Sequence, residues 1–167
     1  YKTATAINNL GEVYYSFGQF EKAESLYKDS LEIREKVFGQ DHPDIAISLE
    51  DLGSLFLSLS QYEKAKSYLE KSLEIRKKVF GLDHPNTATS LNDLALAYES
   101  LGNYEDADNL YRQSLEIRKK LFGLEDRETA ISLNNVGLRY MRLGQYEKAK
   151  SYLEKSVENF VGLDHPN

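Results

Sequence analysis

The string QYEKAKSYLEKS occupies residues 61–72 and returns unchanged at 145–156. Looser copies, QFEKAESLYKDS and NYEDADNLYRQS, stand at 19–30 and 103–114, so successive copies are 42 residues apart. A fixed period in this range marks an array in which one supersecondary unit stacks on the next. A unit this small cannot hide its apolar face alone. Such a chain offers a surface rather than a reaction centre.

Within each unit the apolar spacing is helical. Ile7, Leu10, Val13, Tyr14 and Phe17 fall three, four and seven apart, which traces one stripe of a helix. Gly18 closes it, because glycine accepts the left-handed geometry of a helix end. A second pattern runs from about Phe20 to Val37, with Ala23, Leu26, Tyr27, Leu31 and Ile33 inward, and ends at Gly39. Helices joined by so short a turn pack antiparallel. Pro43 suits the first turn of the next helix, and the aspartates beside it favour the helix dipole. The scheme repeats through Leu49, Leu52, Phe56, Tyr62, Ala65 and Leu69, then Leu91, Leu94, Tyr98, Tyr104, Ala107 and Tyr111, then Leu133, Val136, Tyr140, Tyr146, Ala149 and Leu153. Four antiparallel helix pairs are expected, at about 3–44, 45–86, 87–128 and 129–167. The turn FGLEDRE at 122–128 lacks the histidine and proline of its counterparts, which predicts a looser connection. The last unit is three residues short, which predicts a shorter final helix. The chain opens without methionine and stops on GLDHPN, a string that elsewhere introduces another unit. It reads as a piece of a longer array with uncapped ends.

Composition removes several classes of function. A net charge of −6 argues against a general nucleic-acid binder, which needs a basic face to displace phosphate counterions. It also disfavours an anionic membrane surface. The absence of cysteine excludes disulfides, thiolate zinc sites and cysteine nucleophiles, and suits the reducing cytoplasm. No apolar run approaches the ~18–20 residues that span a bilayer. His42, His84 and His165 each sit in an Asp-His-Pro turn, but on different units, so they do not converge on one ion. No nucleophile elbow, phosphate-cradling glycine loop or HExxH string is present. The expectation is a non-catalytic chain with no cofactor and no metal.

The unit resembles the tetratricopeptide repeat. That motif places a large apolar residue, a leucine, a small residue and an aromatic on its first helix. Here these are Ile7–Leu10–Gly11–Tyr14, Leu49–Leu52–Gly53–Phe56, Leu91–Leu94–Ala95–Tyr98 and Leu133–Val136–Gly137–Tyr140. An interhelix glycine follows at Gly18, Gly102 and Gly144, with Ser60 the exception, and a small residue at Ala23, Ala65, Ala107 and Ala149. The period of 42, the LEIR string and the DHP turn are similar to the subtype found in kinesin light chains. The resemblance implies an all-α, right-handed α-solenoid. Glycine inside a helix costs about 1 kcal/mol against alanine, which makes sense where two helices approach closely.

The resemblance also implies a concave groove, lined by first helices, that holds a peptide or protein partner. The corresponding positions are Asn8, Asn9, Glu12 and Tyr15; Glu50, Asp51, Ser54 and Leu57; Asn92, Asp93, Leu96 and Glu99; and Asn134, Asn135, Leu138, Met141 and Arg142. The asparagine pairs carry donors and acceptors and suit an extended backbone. Leu57, Leu96, Leu138 and Met141 read either as an apolar floor for a ligand or as contacts between repeats. Glu12, Glu50, Asp51, Asp93 and Glu99 make the first three units acidic, while Arg139 and Arg142 make the last basic. A peptide with one basic and one acidic end suits that gradient. Where some members grip a terminal carboxylate with lysine and asparagine, this chain has Asn8 and Glu12. The alternative function is a homo-oligomeric scaffold assembled through the uncapped ends.

Overall fold

A computed structural model describes residues 2–124 and 126–164. These residues form eight helices: α1 Lys2–Ser16, α2 Phe20–Phe38, α3 Pro43–Ser58, α4 Tyr62–Phe80, α5 Pro85–Ser100, α6 Tyr104–Phe122, α7 Arg127–Arg142 and α8 Tyr146–Asp164. Each odd helix packs on the even helix after it, and each even helix on the next odd one. The result is an α-solenoid of four helix pairs.

The close approach within a pair is set by the small residues. A Cβ on Gly11 would lie 2.7 Å from the Tyr27 ring, and one on Gly53 2.6 Å from Leu69. On Gly137 it would meet Leu153 at 2.7 Å. Ala23, Ala65 and Ala107 are fully buried, and Ala149 nearly so. The core is a chain of linked clusters. One joins Ala23 and Tyr27 to Leu52, Leu55, Phe56 and Ala65; another joins Leu69 and Leu73 to Leu91, Leu94 and Ala97.

A serine recurs inside every pair. Ser30, Ser72, Ser114 and Ser156 are buried, and their hydroxyls donate to the carbonyls of Ala4, Ala46, Ala88 and Ala130 at 3.0, 2.9, 2.6 and 2.8 Å. An arginine recurs between pairs. Arg34 Nη1 donates to the Asp44 carbonyl at 2.8 Å and to Ser48 Oγ at 2.7 Å. Arg76 repeats this on Asn86 and Ser90 at 3.0 and 3.1 Å.

The turns show why their residues recur. His42 and His84 cap α3 and α5, each Nδ1 accepting from the backbone N–H two residues on, while the ring stacks on Phe38 or Phe80. His165 lies outside the described residues. The turn before α7 keeps a cap without the histidine. Asp126 accepts from the N–H groups of Glu128 and Thr129 at 2.7 and 3.1 Å. What it lacks is the ring stack, and Phe122 is left exposed.

Two expectations are corrected. The final helix is not shorter: α8 has 19 residues, as do α2, α4 and α6. Glycine at 162 weakens a helix by about 1 kcal/mol but does not end it. On α1, Leu10 is 46% exposed, whereas Leu52 at the same register in α3 is fully buried. Val13 and Phe17 are also exposed. The preceding pair covers that face in α3, and α1 stands first among the described helices.

Ser60 holds a backbone φ of +56°, where Gly18, Gly102 and Gly144 stand in the other three pairs. An L-residue there costs about 1–2 kcal/mol, partly offset by the greater freedom of glycine in the unfolded chain. Ser60→Gly is expected to raise stability by about 0.5–1 kcal/mol, read as an upward shift in the urea midpoint.

Candidate binding face

The sequence-derived positions on the odd helices meet across repeats in a regular offset. A residue at one register touches the residue 43 further on, one step beyond the repeat length. Asn8 Nδ2 donates to Asp51 Oδ2 at 2.8 Å, and Asn8 Oδ1 accepts from Ser48 Oγ at 3.4 Å. Asn8 is only 3% exposed. It is therefore not free to clamp a ligand backbone; its amide is spent tying α1 to α3. At the next step the same offset sets Glu50 against Asp93 in register, and the Arg76 guanidinium reaches both Glu50 oxygens. At the third step Asn92 and Asn135 face one cavity of about 140 Å³, lined also by Leu96, Leu138, Glu99, Tyr111, Arg139 and Arg142.

The electrostatics follow from this pairing. Burial pushes the Glu50 carboxyl up to about 7, with Asp93 adding to the rise and Arg76 opposing it. Burial likewise lifts Asp51 to about 6, against the Asn8 hydrogen bond and with help from Glu12 and Glu50. The acidic gradient read along the first three units is therefore partly internal. Glu99 is similarly engaged: it accepts from Tyr111 Oη at 3.1 Å and lies 3.6 Å from Arg142 and 3.9 Å from Arg139. Burial, then Glu99, raises the Tyr111 hydroxyl.

The remaining positions divide. Asn9, Glu12, Asn135, Arg142 and Met141 are exposed; Asn92, Asp93, Asn134 and Ser54 are half-buried. Tyr15 is hydrogen-bonded to Ser58 at 2.6 Å. Leu57 packs against the clusters of both neighbouring pairs, so it is a contact between repeats. Leu96 and Met141 are exposed, and Leu138 lines the cavity.

Sequence reasoning read Arg139, with Arg142, as the charge that makes the last unit basic; the structure instead buries it as the cavity's inner wall, paired with Asp108. Arg139, 3% exposed, stands where α3 has Leu55 and α5 has Ala97. Its Nη1 donates to Asp108 at 2.6 Å and its Nη2 to the Tyr104 carbonyl at 2.7 Å, between the rings of Tyr111 and Tyr140. The signal was an arginine at a register that is otherwise apolar. Among the described residues, no three histidine, aspartate or glutamate side chains are grouped to hold a metal ion. No described helix is long and apolar enough to cross a membrane.

The tetratricopeptide repeat pattern matches residues 2–78, 57–120 and 101–160. The chain belongs to the tetratricopeptide repeat family. No curated protein matches the sequence. Among solved structures, BtubC (BKLC) from P. vanneervenii is similar at 23% identity and a TM-score of 0.87, over 98% of this chain and 66% of that one. A Podosopora anserina protein assigned as a kinesin light chain, with nearly identical TPR-like repeats, shares 25% identity over 98% of this chain and 76% of its own, at a TM-score of 0.82. A Rap protein complexed with competence and sporulation factor matches at 17% identity and a TM-score of 0.81, over 95% of this tetratricopeptide array and 42% of its own length.

Removing the buried guanidinium tests the inner wall. Asp108 keeps a second partner in Arg112 at 3.0 Å and is partly exposed. Arg139→Ala is therefore expected to cost about 2–3 kcal/mol, less than the ~3–5 kcal/mol of a fully buried charge left alone. Chemical denaturation measures it.

Proposed function

We propose that this tetratricopeptide array is a non-catalytic interaction module that holds a peptide or protein partner on the face of its odd helices. The observation that carries this reading is the third step of the ladder. Asn92 and Asn135 line an open cavity, whereas Asn8 is used within the fold. Two amides beside exposed Leu96 and half-buried Leu138 offer backbone hydrogen bonds and an apolar seat together. Exposed Glu12 at one end and Arg142 at the other favour a segment with a basic end toward α1 and an acidic end toward α7. That a Rap protein of the same fold is seen complexed with a factor supports a binding role for the array. A cysteine-free chain suits the cytoplasm as the place of action.

Peptides selected by display on the whole chain provide the test. Asn92→Ala with Asn135→Ala is expected to weaken a selected peptide about tenfold, by calorimetric titration, with the fold unchanged. Selected peptides that ignore both substitutions would overturn the reading.

Self-assembly is a second reading, favoured by the exposed Leu10, Val13 and Phe17 of α1 and the exposed Val157 and Val161 of α8. End-to-end stacking would cover both faces. Sedimentation that rises with concentration is its expected signature; a constant monomer removes it.

A further inference from the structure

The cavity at the third step of the ladder has an exposed mouth and a buried floor. Leu96 and Arg142 stand exposed at the mouth, whereas Arg139 and Tyr111 are buried at the floor. Two of the three Arg139 nitrogens are used within the fold, Nη1 on Asp108 and Nη2 on the Tyr104 carbonyl. The third, Nε, is buried and has no hydrogen-bond partner. Glu99 stands beside it, with Oε2 3.9 Å from that Nε and Oε1 3.6 Å from Arg142 Nη1. Both distances are beyond hydrogen-bond reach. Glu99 accepts from Tyr111 Oη at 3.1 Å, and a carboxylate has lone pairs for more than one donor. The floor thus sets an unused donor next to an under-used acceptor. An orphaned Nε means little by itself, since Arg34 has one too. Arg34, however, serves the first junction, where Asn8 and Asp51 are bonded to each other. Arg139 has a cavity of about 140 Å³ in front of it.

We infer that this cavity takes the side-chain carboxamide of a glutamine or asparagine from the partner, its carbonyl accepting from Arg139 Nε and its N–H₂ donating to Glu99. The inference rests on the odd-helix face being the binding face, and it names what enters that face.

The charges at the floor are already balanced. Asp108 holds Arg139 at 2.6 Å, and Glu99 opposes Arg142. A carboxylate from the partner would bring no donor and would set a second negative charge beside Glu99. An ammonium would bring no acceptor for Nε and would meet two guanidinium groups. An alkyl chain would leave both floor groups unpaired. A carboxamide alone among these carries donor and acceptor together without charge. Buried polar groups that go unpaired with the wrong side chain discriminate more steeply than an apolar pocket does. A second cavity, of about 280 Å³, shares Leu96, Glu99 and Arg142 with the first and extends to Tyr104 and Leu143. It seats the next residue of the same segment, while the segment's main chain stays at the mouth by Asn135 and Arg142. Arg142 there still attracts an acidic stretch outside the cavity.

The test is an NMR titration of the whole chain with three single-residue probes, N-acetylglutamine methylamide and its glutamate and methionine counterparts. The glutamine probe is expected to shift the Arg139 Nε–H resonance saturably, together with the side-chain amides of Asn92 and Asn135. The glutamate and methionine probes should bind about tenfold more weakly or worse. Glu99→Gln keeps an acceptor for Tyr111 and removes the repulsion, so the glutamate probe should bind about tenfold better to that variant. A misfolded chain would not produce such a gain. An Arg139 Nε–H resonance unmoved by the glutamine probe overturns the inference. So does a glutamate or methionine probe that binds the unaltered chain as tightly as the glutamine one. The peptide-binding reading fails separately: a selected peptide that needs Asn92 and Asn135 but contains neither glutamine nor asparagine upholds that reading and removes this one.

Discussion

The stack depends on a buried arginine near the end of the second helix of a pair. Arg34 and Arg76 give their guanidinium groups to the first two turns of the next odd helix, on a backbone carbonyl and a serine hydroxyl. Apolar burial brings the pairs together but is indifferent to a shift of a few ångströms. A desolvated guanidinium is not, because its cost is met only when its planar fork finds its acceptors. The arginine therefore fixes where each odd helix lies against the one before it. Arg118 keeps the role more loosely, reaching the Glu128 carbonyl at 3.4 Å and its carboxylate at 3.1 Å. In the last unit Phe160 holds that register.

That placement sets the geometry of the odd-helix face. Arg76 holds both Glu50 oxygens with the same group that fixes α5, so one guanidinium ties this face to the stack. The inner cavity is built differently. Arg139 enters from the odd helix itself and draws Asp108 and the Tyr104 carbonyl of α6 toward α7. At this register the junction before the last pair is thus polar, where Leu55 and Ala97 make the earlier ones apolar. The cavity opens there because asparagine side chains, rather than a closed amide–carboxylate pair, line it.

Much of the fold was legible because the chain serves as its own alignment. Four copies in register showed which positions had to be small, where each helix stopped and where the turns fell. Ser30, Ser72, Ser114 and Ser156 were equally visible as the last letter of the repeated string. Their role was missed because a serine on a polar helix face reads as solvated; only packing shows its hydroxyl on a buried carbonyl. The length of α8 was misjudged for a related reason. Counting deleted residues measures the unit, whereas a helix ends where its local chemistry stops it.

The odd-helix face was less legible, and the cause is geometric. A period of 42 tells which residues are equivalent, but contacts between odd helices run to the residue 43 away. Asn8 meets Asp51 and Tyr15 meets Ser58, one place beyond their equivalents Glu50 and Leu57. Asn8 and Asn92 therefore look alike in register yet differ in fate, one facing a carboxylate on Asp51 and the other an amide on Asn135 across a cavity. A stacked array can keep every junction nearly constant while the chemistry of these cross-repeat pairs changes one letter at a time. Amide with carboxylate gives a closed step, and amide with amide an open one. The backbone frame is shared, so the side-chain chemistry of this face changes along the array without a change of fold.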